Sequence, residues 1–475
     1  MLFNSLDFVL FFTLVLCVYH ALPHKLQNRF LLAASYFFYG CWDIRFLALI
    51  LYSTILDFRC ASRIHASPST RVRKAYLLVS VVGNLGILAT FKYLEFFRPG
   101  LQALLAPLGL TLRPWTHDIV VPVGISFYTF QTMSYTLDVY RRELKPTRNF
   151  FDFALFVSFF PQLLAGPIER GSRLLPQIVA RRQPTTDGIL AGLHLIAWGY
   201  YQKVFIADNL ALIVDHAFAE TSGIRGGEVL FAACAFHFQI FCDFAGYSNI
   251  ARGCARLLGF ELSVNFRAPH FSASPREIWR RWHITIVDWF RDYVYLPLGG
   301  KSRGPLISYR NTLITILLLG IWHGASWNFV LFGLFMGILQ VVYEWIGPRI
   351  PVRWSPTSTG WNQVLRTVRV LVFLQFWLLA AVIFRSTDLD QIRTLFVALG
   401  TSAELGLYGT AVQVLRLLTF TWLLLWVEIL HWRRGSLDRV FAGHWPWRLA
   451  GALVIFYSVT LWSEYGARPF EYFQF

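Results

Sequence analysis

The chain has 475 residues, of which 56% are hydrophobic, 17% aromatic and only 15% charged, whereas a soluble globular domain carries about 25% charged residues. That balance excludes a soluble globular protein and points to an integral membrane protein. Lys and Arg outnumber Asp and Glu by 43 to 27, but they cluster in loops between apolar stretches, as topology and retention signals on anionic lipid do, and not as a nucleic-acid surface. Arg outnumbers Lys by 37 to 6, a bias that suits headgroup and phosphate contacts.

Apolar stretches run from end to end, at roughly 6–22, 29–58, 75–97, 119–140, 150–168, 188–218, 228–250, 311–345, 366–384, 411–431 and 447–463. A spanning helix needs about 20 residues, so these predict on the order of ten spans within one polytopic all-α domain. The first stretch lacks a basic segment before it and carries Lys25 and Arg29 after it, so it reads as a retained span with the N-terminus outside. The basic loop 59–74 is then also cytoplasmic, which requires 29–58 to enter and return, breaking near "YGCWDIR". The segment "SPREIWRRWHITIVDWFRDYVYLPLGG" (274–300) opens with Ser274 as N-cap, Pro275 at the first helical position and Glu277 completing a capping box. Trp279, Trp282, Ile286, Trp289, Phe290 and Tyr293 recur at helical spacing, so an amphipathic helix at the membrane interface, or slanting into the protein, is expected here. Residues 346–360, "IGPRIPVRWSPTSTG", read as a connector before the C-terminal spans. Six cysteines at 17, 41, 60, 234, 242 and 254 show neither a CxxC pair nor zinc spacing.

The stretch "LLLGIWHGASWNF" (317–329) sets His323 inside 33 consecutive residues without Asp, Glu, Lys or Arg. As one helix these would extend about 50 Å, well beyond the ~30 Å hydrocarbon core, so a tilt or break is expected. His20, His194, His216, His237 and His431 also lie in or beside apolar segments, and apolar context alone does not select His323. Gly320 and Gly324, the amphipathic Trp322 and Trp327, and the polar Ser326 and Asn328 do: they mark a place where backbones approach closely or a helix breaks, with room for a substrate beside the imidazole. A neutral imidazole there suits a general base. His283, 40 residues earlier, is expected to point toward the protein and to orient His323, relay a proton or polarise a carbonyl. A metal site built from these two with Asp243 or Asp288 has no supporting spacing, and neither a metal nor a bound cofactor is expected.

The segments "FFPQLLAGPIERGSRLLPQI" (159–178), "FCDFAGYSNIARGCARLLGFELSVNFRAPH" (241–270), "EIWRRWHITIVDWFRDYVYLPLGG" (277–300), "GIWHGASWNFVLFG" (320–333) and "RPFEYFQF" (468–475) together resemble the membrane-bound O-acyltransferases, within them the bacterial alginate O-acetyltransferase group. The resemblance implies a ring of tilted helices around a thin central region with a cytoplasmic funnel, His323 as the essential catalytic residue and His283 as its companion. Asn249 stands where that family often has an acidic residue, so no role is carried over to it. With the resemblance, the expected substrate-binding residues are Trp322, Trp282, Arg280, Arg281, Arg291, Asn328 and Asp243. Acetyl-coenzyme A or another short acyl thioester is the expected donor, entering from the cytoplasm past Arg280, Arg281 and Arg291. A periplasmic acetyltransferase or acyl-relay partner would then place the group on an exported polysaccharide, which makes this a multi-pass protein of a bacterial inner membrane, in contact with lipid and with no nucleic acid. The rival expectations are a proton-coupled transporter or flippase, and a scaffold of a polysaccharide export complex.

Overall fold

The computed structural model describes residues 1–111, 121–219, 221–302, 304–347, 360–401, 407–443, 445–462 and 468–471. No strand occurs among them, and the protein is an all-α polytopic membrane protein. The chain forms two compact units, one of residues 1–196 and 250–263, the other of 197–249 and 264–475.

The first unit holds α1 (Leu6–Ala21), α2 (His24–Gly40), α3 (Leu47–Ala66), α4 (Thr70–Leu88), α5 (Leu94–Leu105), α6 (Ile125–Arg141), α7 (Phe150–Ser158), α8 (Phe160–Leu163), α9 (Gly171–Val179) and most of α10 (Thr186–Tyr200). The break expected near "YGCWDIR" is present, because α2 ends at Gly40 and α3 begins at Leu47. Three of these helices meet around Asp57, which is fully buried and accepts hydrogen bonds from Ser80, from Asn84 Nδ2 at 2.7 Å and from Thr136 at 2.8 Å. A carboxylate out of water needs such donors.

The second unit holds α11 (Asp208–Ala219), most of α12 (Gly226–Leu257), α13 (Pro275–Trp279), α14 (Ile284–Phe290), α15 (Pro305–His323), α16 (Trp327–Ile346), α17 (Trp361–Arg385), α18 (Leu389–Thr401), α19 (Leu407–Arg434), α20 (Leu437–Phe441) and α21 (Trp445–Trp462). Among the described residues six helices are long and apolar enough to cross a membrane: Thr70–Leu108, Gly226–Leu257, Pro305–His323, Trp327–Ile346, Trp361–Arg385 and Ala411–Arg434. Fewer qualify than the apolar stretches predict, because several of those stretches are interrupted. Residues 41–46 separate α2 from α3, and Phe159 separates α7 from α8. The connector expected at 346–360 falls almost wholly outside the described residues.

One expectation is overturned. The segment 274–300 is not a single amphipathic helix: Ser274 does cap α13, its Oγ accepting from Glu277 N at 3.3 Å, but that helix stops at Trp279. The backbone of 281–285 pairs instead with the chain just before it. Arg267 N donates to Arg281 O at 2.9 Å, Ile284 N to Asn265 O at 3.0 Å, and Thr285 Oγ1 to Asn265 Oδ1 at 2.7 Å. These bonds turn His283 into the left-handed region (φ 45°, ψ 52°) before α14 begins. For a residue with a side chain that conformation costs on the order of 1–3 kcal/mol, and such strain gathers at functional sites.

Candidate active site

The 33-residue uncharged run breaks at its histidine. Helix α15 ends on His323, Gly324 is extended, and α16 starts at Trp327, so the two helices form a hairpin. Their backbones touch: a Cβ on Gly320 would lie 2.6 Å from Phe329 O and 2.7 Å from Gly333 Cα. Gly320→Val is therefore expected to force the hairpin open, at a cost of about 1–3 kcal/mol or more for overpacking. Thermal unfolding of the purified protein checks this, and an unchanged midpoint with unchanged activity would contradict it.

The hairpin buries His323 to 7% exposure, and the left-handed turn buries His283 to 2%. The two line one cavity in the second unit, with His237, Trp279, Trp282, Phe332, Trp377 and Phe384 among its walls. Its volume is about 40 Å³, where one water needs about 10–15 Å³ of such space. Trp322 packs against both histidines, its ring centroid 5.6 Å from His283 and 4.9 Å from His323. Phe244 stands edge-on to His283 at 4.4 Å, and Phe384 edge-on to His323 at 5.0 Å. Burial holds the pKa of His283 well below the usual imidazole range, and the nearby His323 adds in the same sense, so the ring of His283 is neutral at pH 7. Among the described residues no three His, Cys, Asp or Glu side chains are grouped as metal ligands.

Trp282, like the two histidines, lines this cavity. Arg280 and Arg281 do not; they line a separate polar cavity of about 520 Å³ with Arg267, Arg276, Glu277, Arg366 and Arg369. Arg366 binds Glu277 at 2.9 Å, and Arg281 approaches the same carboxylate at 3.2 Å. Burial raises the Glu277 carboxyl, but the hydrogen bonds from Arg366 and the Ala273 N–H, with the charges of Arg366 and Arg281, hold it below its usual range.

Three other expected substrate contacts are placed elsewhere. Arg291 is half exposed and neutralised by Asp288 at 2.5 Å and Asp292 at 2.8 Å, outside both cavities. Asn328 is buried and donates to Phe384 O at 3.2 Å and Ser386 O at 2.7 Å, so it anchors the end of α17. Asp243 forms an ion pair with Lys203 at 2.6 Å and lies outside the cavity lining. Asn249 binds Gln202 at 2.8 Å.

The place of His237 in the cavity wall is not visible from the sequence. Its Nδ1 accepts from Trp377 Nε1 at 3.0 Å and its Nε2 meets His270 Nδ1 at 2.8 Å. The Trp377 N–H is only a donor, which places the His237 proton on Nε2, facing His270. His270 ends the quoted segment 241–270, but nothing in the spacing of 237 and 270 shows that they meet.

The chain is thus a multi-pass helical membrane protein with two buried histidines on one small apolar cavity and an arginine-lined polar cavity in the same unit. Residues 42–382 match the membrane-bound O-acyltransferase family. The chain belongs to that family and is an O-acyltransferase. It is 37% identical to a probable alginate O-acetylase of Azotobacter vinelandii over 401 residues, 84% of this chain and 78% of the relative. It is 31% identical to a peptidoglycan O-acetyltransferase of Helicobacter pylori over 388 residues, 76% of this chain and 71% of the relative. Similarity to a teichoic acid D-alanyltransferase of Bacillus subtilis is 27% identity over 272 residues, 55% of this chain and 68% of the relative.

Proposed function

We propose that this enzyme takes an acetyl group from a thioester donor on the cytoplasmic face of a bacterial inner membrane and passes it to a hydroxyl acceptor, for O-acetylation of an exported polysaccharide. The single observation that carries the reading is the shared cavity of His283 and His323. His323 takes the hydroxyl proton as the oxygen attacks the thioester carbonyl; the C–S bond then breaks and the thiolate recovers the proton from His323. His283 supports the reacting geometry from the facing wall. The C-terminal end of a helix favours a cation, and His323, the last residue of α15, gains its proton at such a place.

The small volume of the cavity, with Trp377, Phe332 and Phe384 among its walls, favours the smallest acyl group. The arginine-lined cavity suits the phosphates of coenzyme A, since guanidinium groups bind phosphate oxygens in pairs. The named activities of the relatives, on alginate and on peptidoglycan, support a polysaccharide as the ultimate acceptor, and we assign the last transfer to a separate periplasmic protein. Alginate and peptidoglycan are both compatible with this geometry.

Purified protein in lipid nanodiscs, given acetyl-coenzyme A and a small hydroxyl acceptor, should release free thiol and form acetyl ester in equal amounts. Release of neither would contradict the reading. Arg280→Glu and Arg369→Glu should each raise the KM for the donor by roughly three- to tenfold, the value of one partly exposed charge-assisted contact, with kcat unchanged. Donor titration at low and high salt checks this, and a KM equal to wild type in both variants would remove the arginine cavity from the donor path.

A further inference from the structure

The family match ends at residue 382, yet the segment Arg468–Glu471, far beyond it, is built into the second unit. Phe470 is 1% exposed and Glu471 8%. The backbone N–H of Glu471 donates to Asp243 Oδ2 at 2.7 Å, and Asp243 Oδ1 in turn binds Lys203 at 2.6 Å. Lys203 also binds Asp208 at 2.9 Å and reaches Pro469 O at 3.5 Å. Arg468 binds Asp215 Oδ2 at 2.9 Å, while Arg385 binds the other oxygen of Asp215 at 2.8 Å and lies 4.0 Å from the Glu471 carboxylate. A short stretch of chain so buried and so tied is a structural strap, not a loose tail.

The strap touches what touches the two histidines. The Phe470 ring packs 5.4 Å from Phe244, the residue edge-on to His283, and 5.2 Å from Tyr247 one turn further along α12. Arg385, which the strap holds through Asp215 and Glu471, directly follows Phe384, the residue edge-on to His323. The His283 ring is packed by Phe244 at 4.4 Å and Trp322 at 5.6 Å, and such neighbours set its orientation.

We propose that Phe470 and Glu471 are positioning residues for the acyl transfer, Phe470 holding the His283 ring through Phe244 and Glu471 holding the end of α17 through Arg385. This rests on the reading of His283 and His323 as the reacting pair. It also assigns Asp243 a place: it fastens the strap instead of contacting substrate. The strap therefore acts on turnover and leaves donor binding alone.

The experiment is a double-mutant cycle on purified protein, with turnover expressed per folded molecule. Phe470→Ala should lower kcat by about tenfold with the donor KM unchanged, and Phe470→Leu should restore most of it. In the His283→Gln background Phe470→Ala should cost nothing further, since residues that act as one unit are not additive. Full kcat in Phe470→Ala, or an equal loss with and without His283, overturns the proposal. His323→Ala, measured beside them, keeps the two readings apart: its inactivity with Phe470→Ala fully active sinks the strap alone, whereas an active His323→Ala sinks the reacting pair and the strap with it.

Discussion

His323→Ala is expected to lower kcat by about 10²- to 10⁴-fold, the usual worth of a general base, while leaving the protein folded and its donor KM little changed. The side chain is buried but sits on a cavity wall, and although its ring also meets Phe329 and Phe332 of α16, the two helix backbones are held against each other at Gly320 and Gly333. Removing it therefore enlarges an existing space and leaves the hairpin standing. Single-turnover acyl transfer by the purified variant, with its elution and unfolding midpoint compared with wild type, checks both halves of the expectation. Transfer at the wild-type rate would contradict the role of His323.

Lys203→Met is expected to destabilise the second unit by about 3–5 kcal/mol, because it leaves the carboxylates of Asp208 and Asp243 buried without their shared cation. The lysine is 5% exposed and the two carboxylates 3% and 2%, so water does not replace it. Converting Asp208 and Asp243 to leucine in the same chain should recover part of the loss, as removing a buried ion group whole costs less than breaking it. Thermal unfolding in detergent distinguishes the two, and a Lys203→Met midpoint equal to wild type would contradict the buried ion cluster. The same cluster gives the strap a pH dependence. Burial, with Asp243 next and Asp215 adding, pushes the Glu471 carboxyl from its ordinary 4.5 up to about 7, against the opposing pull of Arg385 and Lys203. A carboxyl raised in the folded state stabilises it fully below pH 4.5, and that contribution is lost as the pH rises through about 7. Wild-type stability should fall across this window and Glu471→Gln should flatten the fall.

What was legible in the sequence is what local pattern controls. The break at His323 was readable because Gly320 and Gly324 bracket it and because a 33-residue uncharged run is too long for one span. The capped start at Ser274 was readable for the same kind of reason. The early end of α13 was not, because it is set by hydrogen bonds to Asn265 and Arg267 that the helical spacing of the tryptophans does not reveal. Nor were the pairing of His237 with His270 or the tie between Asp243 and Glu471, which bring together residues 33 and 228 positions apart. Asn328 beside "WHGASW" looked like a substrate contact because it is polar and near His323; its side chain is turned to the carbonyls that end α17.

The account is tested most directly by a structure of the enzyme with a non-reactive thioether analogue of acetyl-coenzyme A. It predicts the phosphates among Arg267, Arg280, Arg281, Arg366 and Arg369, and the acetyl group between His283 and His323, its carbonyl carbon within ~3.5 Å of where an attacking oxygen hydrogen-bonded to His323 would sit. An analogue bound with its acetyl group outside this cavity, and His323 still covered by Phe332 and Phe384, would contradict it.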